Sequence, residues 1–354
     1  MSHGRLLIVG GGQSGLAAAR VGRDLGWEPV VVEAGPEPVG SWPAYYESLR
    51  LFSPHRFSGF PGYPFPGLPD DYPHRDDVAD FLRGYATWLD VDIRTRTRVT
   101  DLTTRDGGFE AVLADGGRVV GDVVIAATGS FRNPYVPQIR GREAFGGRVL
   151  HVADYRSPEA FTGQRVLVVG AGNSAIQVAY ELTETADVSV VVQDRVRFAP
   201  QVIAGRDLHW WLTRTRADLL PPAILNRVIT GTPVIDAGTY RAALETGTLP
   251  QRRMFTAFTE DGVVWADGAR ERVDAVIFAT GYRPDLPYLA SLRAIDDAGI
   301  PPHRNGVSTM LPGLGFLGLE FQRSFSSNTL RGVHRDAAHL ITALTSQTRR
   351  ARGG

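Results

Sequence analysis

The sequence predicts an α/β protein made of two Rossmann-like dinucleotide-binding domains. Three observations carry this prediction. The apolar run Leu6-Leu7-Ile8-Val9 leads into the turn Gly10-Gly11-Gly12-Gln13-Ser14-Gly15. Near mid-chain, Val166-Leu167-Val168-Val169 leads into Gly170-Ala171-Gly172-Asn173-Ser174-Ala175. Two further apolar runs, Val123-Val124-Ile125 and Ala275-Val276-Ile277-Phe278, each close on Ala-Thr-Gly. A buried strand, a glycine turn and a helix in that order form a nucleotide cradle, and a matching exit behind each cradle implies duplication.

Residues 5–9 read as a buried strand, Gly10 to Gly15 as its turn, and Leu16-Ala17-Ala18-Ala19-Arg20 as the start of a helix. Gly10 permits the tight turn, Gly12 lets backbone approach a pyrophosphate, and Gly15 lets helix and strand pack closely. Gln13 and Ser14 sit at the helix N-terminus, where unpaired N–H groups and the dipole favour phosphate. Val30-Val31-Val32 form the next strand, ending at Glu33 and Ala34, where a carboxylate accepts hydrogen bonds from a ribose. Gly40, Ser41 and Trp42 read as a second loop over the cofactor, with a core position for Trp42 equally open.

Residues 49–68 are dense in Pro, Phe and Tyr, beginning with Leu51-Phe52-Ser53-Pro54. Such a stretch cannot be regular helix or central strand and should form an apolar wall or lid. A helix is expected over about 76–89, with Val78, Phe81, Leu82, Tyr85 and Leu89 on one face. His74, just before it, reads as a capping or surface residue. Short alternating strands fill 91–125, Val99 among them, and lead to Thr128 and Gly129.

The second unit repeats the order: strand Arg165 to Val169, turn, helix Ile176 to Leu182, strand Val188 to Val192. Gln193 lies as far past Gly170 as Glu33 lies past Gly10, so a neutral amide replaces the ribose-binding acid. Asp194, Arg195 and Arg197 follow. A carboxylate about 4 Å from a 2′-phosphate costs roughly 4 kcal/mol at an effective dielectric of about 20, and a nearby arginine offsets it. NADH is therefore expected to serve readily, with NADPH admissible. Thr280 and Gly281 form the exit of this unit. Residues 200–255 break the pattern with His209, Trp210, Trp211 and a Pro-bounded helical stretch, read as an insertion covering the cleft. The tryptophan pair, lacking a basic amphipathic face, is expected to pack rather than rest on membrane. From about 286 the chain should return to the first unit through a strand at 313–320. Ser326, Ser327, Asn328 and Thr329 then cap a helix that runs past Leu330, Val333 and His334 to Leu344.

Composition sets limits. The 354 residues suffice for two cores, and a formal net charge of +0 offers no field for nucleic acid or anionic membrane. The chain has no cysteine, which excludes disulfide and thiolate chemistry, and all 38 basic residues are arginine, which excludes lysine Schiff bases. The eight histidines are scattered, so no metal is expected. Five residues before the first apolar run are too few for a signal peptide, and no run is long enough to span a membrane. A cytoplasmic location is the expectation, and the basic end at Arg349, Arg350 and Arg352 is expected to fray.

The segment Phe145-Gly146-Gly147-Arg148-Val149-Leu150-His151-Val152-Ala153-Asp154-Tyr155-Arg156 joins the two units. It matches the fingerprint Phe-x-Gly-x-x-x-His-x-x-x-(Tyr/Phe)-(Lys/Arg), and over essentially its whole length the chain resembles class B flavin-dependent monooxygenases. Tyr155-Arg156 favours the flavin-containing-monooxygenase branch over the Baeyer–Villiger enzymes. Gly11-Gly12-Gln13-Ser14-Gly15, Leu51-Phe52-Ser53-Pro54 and Gln193 resemble a small bacterial group that includes arsenic-operon-associated monooxygenases.

The resemblance implies an FAD domain, residues 1–145 and 286–354, interrupted by an NAD(P)H domain, 146–285, with a helical insertion near 200–250. FAD contacts are then expected from Gly10, Gly12, Gln13, Ser14, Gly15, Glu33, Ala34, Gly40, Ser41, Trp42, Phe52, Val99, Thr128, Gly129, Asn328, Thr329 and Leu330. Nicotinamide nucleotide contacts are expected from Gly170, Gly172, Asn173, Ser174, Ala175, Gln193, Asp194, Arg195, Thr280 and Gly281. The last helix would aim its N-terminus at the flavin ring carbonyls.

The implied reaction uses NAD(P)H and O2 to form a C4a-hydroperoxyflavin that oxygenates a small-molecule sulfur, nitrogen or trivalent arsenic centre. His151 is then a scaffold residue and no catalytic side chain is assigned. Phe52 stands where many eukaryotic-type members carry an asparagine, which favours uncoupled release of peroxide. An uncoupled oxidase or reductase, and a non-catalytic nucleotide sensor, remain as alternatives. Nucleic acid and membrane partners are not expected, and a homodimer stays open on the base rate of such folds.

Overall fold

The structure is a computed structural model that describes residues 3–221 and 233–353. Residues 222–232, inside the Pro-bounded stretch expected to be helical, lie outside the described residues. Two separate parallel sheets organise the chain. The larger has seven strands. Its parallel centre runs Leu314–Phe316, Val123–Ala126, Arg5–Val9, Glu28–Val32 and Asp92–Arg94, and a short antiparallel hairpin, His303–Arg304 with Val307–Ser308, finishes one edge. The smaller has five strands, ordered Gln251–Arg253, Asp187–Val192, Arg165–Val169, Ala275–Phe278 and Arg148–His151, all parallel. Strands covered on both faces must be apolar on both, which explains the unbroken apolar runs. Leu6, Leu7 and Ile8 are each fully buried, as are Val166, Leu167 and Val168.

Both sheets are covered alike. One face of the larger sheet packs on the helices Gln13–Asp24, Arg75–Leu89 and Leu330–Gly353. The other meets Leu102, Phe109, Ala111 and Val119 of a three-stranded antiparallel sheet, Val99–Arg105, Gly108–Leu113 and Arg118–Gly121. One face of the smaller sheet packs on the helix Asn173–Leu182, the other on a second three-stranded sheet through Phe258 and Val263. The duplication predicted from the glycine turns thus extends to whole layers.

The strict repeat has a steric cause. A Cβ on Gly10 would stand 2.5 Å from the carbonyl oxygen of Ala127, and one on Gly170 2.4 Å from that of Ala279. Each turn is pressed against its own Ala-Thr-Gly exit, and both glycines are left-handed, at φ +105° and +149°.

Several boundaries differ from the sequence reading. The first and second turn helices begin at Gln13 and Asn173, not Leu16 and Ile176, so their polar first residues are already helical. The strand expected over 313–320 shrinks to Leu314–Phe316, and the chain turns left-handed at Gly318, φ +88°, where a Cβ would strike Ser14. The last helix continues to Gly353, so the basic end at Arg349, Arg350 and Arg352 falls within it. His74 is the N-cap of its helix, and its backbone N–H donates to Asp77 at 2.8 Å. The Pro-rich stretch divides in two. Leu51, Phe52 and Ser53 face a cavity, whereas Phe60 and Phe65 turn into the core against Phe81 and Tyr85. The described insertion holds two short helices, Leu208–Thr215 and Thr239–Thr246, plus a parallel pair, Phe198–Pro200 with Val234–Asp236. Trp210 and Trp211 pack edge to face at 4.7 Å, and Trp211 donates to the Ile203 carbonyl at 2.8 Å. No described helix is long and apolar enough to cross a membrane.

Candidate functional site

A cavity of about 800 Å³ opens at the carboxyl ends of the central strands of the seven-stranded sheet. That is where open α/β sheets bind ligands, and the volume suits a large one. The structure brings together here Gly10, Gly12, Gln13, Ser14, Glu33, Ala34, Gly40, Ser41, Trp42, Phe52, Val99, Thr128, Gly129, Asn328, Thr329 and Leu330. Gly15 lies beneath instead: a Cβ there would be 1.8 Å from the Gly10 carbonyl, so its role is close packing. Gly12 and Gly40 face each other across the mouth, where a Cβ on Gly12 would come within 3.2 Å of the Gly40 Cα.

Two helix N-termini converge on this space. Gln13 begins one helix, and Leu330 begins the other. The Gln13 Nε2 donates to the Asn328 carbonyl at 2.7 Å, which ties the two ends together. Unpaired N–H groups and two aligned dipoles make this region favourable to anionic or electron-rich ligand atoms. Glu33 behaves differently from a free ribose acceptor. Its carboxylate accepts the N–H of Gly11 at 2.6 Å and of Gly35 at 2.5 Å, so it also holds the turn and the following loop in place. A carboxylate has lone pairs to spare, so a ribose hydroxyl can still donate to it.

The cavity has residues the sequence reading missed. Tyr45, Phe131, Arg98, Arg132, Asp285 and Tyr288 line it, drawn from loops without a local motif. Burial pushes the Asp285 carboxyl above its ordinary range, with Arg132 and Arg98 opposing. Thr128 Oγ1 donates to the Asp285 carbonyl at 2.6 Å, which joins the Ala-Thr-Gly exit to the returning chain. Trp42 is half-buried in the wall and packs on Tyr45 at 5.6 Å. From there a ring series continues through Phe131 at 4.6 Å to Tyr282 at 5.5 Å, beside the exit loop of the other sheet.

The second set of residues stands apart from this cavity. Gly172 is the N-cap of its helix, and a Cβ there would meet nothing within 4 Å. Asn173 uses its side-chain oxygen to accept the Ile235 N–H at 3.0 Å, holding the insertion to the turn. Ser174 is half-buried beside it, Ala175 is buried against Gly170, and Gln193, Asp194 and Arg195 are exposed at the strand end. Thr280 donates to the Tyr135 carbonyl, and the Gly281 carbonyl accepts the Tyr135 N–H at 2.9 Å.

The joining segment is structural. His151 Nε2 donates to the Gly281 carbonyl at 3.1 Å, and its Nδ1 accepts the Ala153 N–H at 3.1 Å. Both ring nitrogens are occupied, and burial lowers the imidazole below its ordinary value, so it stays neutral and fixed. Tyr155 donates to Glu181 at 3.0 Å, and Arg156 donates to the Ala153 carbonyl at 2.7 Å. A Cβ on Gly147 would strike the Phe145 ring, which explains that pair.

Residues 7–219 match the family of pyridine nucleotide-disulphide oxidoreductases. The chain belongs to that family. A CzcO-like oxidoreductase of Geobacillus kaustophilus is 32% identical across 95% of this chain and 97% of its own. Indole-3-pyruvate monooxygenase YUCCA1 of Oryza sativa subsp. japonica is 30% identical across 97% of this chain and 92% of its own. The solved flavin-containing monooxygenase of Stenotrophomonas maltophilia is 29% identical, covers 99% of this chain with 100% of its own, and superposes with a TM-score of 0.85. Within the family, this oxidoreductase falls in the class B flavin monooxygenase group and uses FAD and NAD(P)H. Having no cysteine, it lacks the redox pair for disulfide reduction.

The residues present fit the flavin. The cradle is closed to a Cβ at Gly10 and tight for one at Gly12, two helix ends face the space, and aromatic and aliphatic side chains wall it.

Proposed function

We propose that this enzyme binds FAD in the cavity above the Gly10 turn and a nicotinamide nucleotide at the Gly170 turn, and oxygenates a soft nucleophile with O2. The division into an FAD domain, 1–145 and 286–354, and a nucleotide domain, 146–285, belongs to this reading. The observation that carries it is the large cleft between two helix N-termini, with Phe52 and Trp42 in its wall. When bound, the flavin supplies hydride acceptance and oxygen activation. The chain's own residues do the rest. Gly10, Gly12 and the N–H groups at Gln13 and Ser14 would hold the pyrophosphate, Glu33 would take the ribose, and the backbone at Asn328 to Leu330 would offer its helix N-terminus to the ring. Phe52, Trp42 and Tyr45 exclude water, which protects the reactive centre from hydrolysis. Gly172, Asn173 and Ser174 hold the nucleotide phosphates, with Gln193, Asp194 and Arg195 at its ribose. The substrate class is a thioether, an amine or a trivalent arsenical. A 2-oxo acid, as named for the rice relative, is the comparison substrate.

Phe52 supports a second reading. It brings no amide to the cavity, which favours an NADH oxidase that releases peroxide. Rapid mixing separates the two. The NADH-reduced protein is mixed with oxygenated buffer and its flavin spectrum is followed. A transient single-band spectrum, blue-shifted from oxidised flavin and quenched faster by a thioether, arsenite or 2-oxo acid, supports the monooxygenase and ranks its substrates. Direct return to oxidised flavin with stoichiometric peroxide, whatever is added, overturns it in favour of the oxidase.

A further inference from the structure

Behind the cavity wall lies a buried polar cluster that the functional reading leaves unused. The chain leaves the five-stranded sheet at Val192 and rejoins it at Gln251. Between them, residues 201–219 cross to the layers of the seven-stranded sheet and are fastened there at three places. Gln201 Nε2 donates to the Phe52 carbonyl at 3.1 Å. The Tyr72 hydroxyl donates to Asp207 at 2.6 Å. Asp218 accepts from Arg331 at 3.3 Å and Arg335 at 3.1 Å, one residue and one turn beyond cavity-lining Leu330.

Asp207 organises the crossing. It accepts the Gln201 amide at 2.5 Å and the His209 backbone N–H at 2.7 Å, and lies 2.9 Å from His209 Nδ1. The imidazole is fully buried, nearly parallel to the Phe52 ring at 20°, with centroids 6.0 Å apart, and it also meets Phe57 at 6.2 Å. Its Nε2 is buried without a hydrogen-bond partner among the described residues. None of residues 201–219 lines the cavity, but Phe52, which they hold by both carbonyl and ring, does.

Stability alone explains this arrangement poorly. A buried polar pair gains little over a well-packed apolar one, because desolvation offsets the attraction. What Asp207 does provide is direction: it fixes the plane of the His209 ring, and the ring plane fixes Phe52. Phe52 sits in an irregular loop, with neither helix nor sheet ladder to set its place.

We propose that Gln201, Asp207 and His209 are positioning residues that fix Phe52 in the cavity wall, so that the segment crossing from one sheet completes the ligand cavity of the other. This rests on the reading of that cavity as the FAD site. The test is a double-substitution cycle on the holoprotein, made of Phe52→Ala, His209→Ala and the pair. Two readouts apply: release of FAD on dilution, followed by flavin fluorescence, and visible circular dichroism of the bound flavin. Each single substitution is expected to speed release about fivefold, and the pair no more than either alone, because contacting residues are not additive. The dichroism of the pair should equal that of Phe52→Ala. His209→Phe keeps a ring in that place but loses the Asp207 bond that sets its plane, so it should speed FAD release about as much as His209→Ala does. Should His209→Ala not fold, Gln201→Leu enters the same cycle, since it removes the bond to the Phe52 carbonyl and keeps the imidazole. Effects that multiply to about twenty-five-fold, or a His209 or Gln201 substitution without effect on either readout, overturn the proposal. A parent protein that holds no FAD overturns the functional reading with it, whereas a parent that holds FAD and a multiplicative cycle overturns this inference alone.

Discussion

The turn at Gly10 and the turn at Gly170 share a strand, a helix and an Ala-Thr-Gly exit, but differ in what stands over them. Above the first, loops at 40–45, 51–53, 128–132 and 285–288 close with the last helix into one cavity. Above the second, among the described residues, nothing stands within 4 Å of a Cβ placed on Gly172, and the strand end at Gln193 to Arg195 is exposed. A glycine turn therefore supplies a cradle, and enclosure comes from elsewhere in the chain. An enclosed site suits a resident group that is bound once, and an open one suits a nucleotide that must come and go at each turnover.

Breaking the first cradle should have the largest effect. Gly15→Ala drives a Cβ into the Gly10 carbonyl, and such a clash against backbone costs about 3 kcal/mol or more. The purified variant is expected to contain no FAD. Gly172→Ala meets no such clash, so it should keep its full flavin content, read from absorbance, while the KM for NADH rises roughly tenfold as the new methyl crowds the pyrophosphate. Equal flavin loss in both variants would erase the contrast between the cradles.

The next effect sharpens the contrast through acid. His334 is buried beneath the first module, near Phe60 at 4.4 Å and with Nε2 3.1 Å from the Tyr85 hydroxyl. Burial pushes it down to about 4. In the unfolded chain its value is about 6.5, so between these values the unfolded state binds more proton and stability falls as pH falls. The full effect is present below about pH 4 and amounts to about 3 kcal/mol. Urea melts between pH 7 and pH 4 should show that loss, and His334→Gln should remove it.

Smaller effects concern the two strand ends. Glu33→Gln removes the charge that accepts two backbone N–H groups, and should speed FAD release about tenfold. At the other end, Asp194→Asn removes a negative charge from an exposed and screened position. The ratio of NADPH to NADH turnover efficiency should rise only about threefold, measured by steady-state kinetics.

How legible the molecule was depended on the range of the signal. The two cradles, the strand order around them and the amphipathic helix before Leu89 follow from local periodicity, and each lies where expected. The scaffold role of His151 is what the family resemblance implies, and the occupation of both its nitrogens is seen only in the fold. Buried packing of the last helix reaches Leu344, and the helix itself continues to Gly353, so the Arg-rich end prolongs an element whose packed part is legible from its periodicity. Tyr45, Phe131 and Asp285 had no periodic pattern to announce them, since loop residues are placed by distant contacts.

The sequence by itself determined that there are two nucleotide turns, that no cysteine or lysine chemistry takes place, and where each strand meets its glycines. Those facts are short-range, written in steric limits that hold wherever the segment sits. Only the tertiary structure decided that one turn is walled by a deep cavity and that the other, among the described residues, is not. It alone brought Asn328 against Gln13, joined Thr128 to Asp285, and laid His209 behind Phe52. Those pairs lie far apart along the chain, and no local preference encodes them. They form because burying apolar surface brings the layers together and the polar groups then at hand must find partners.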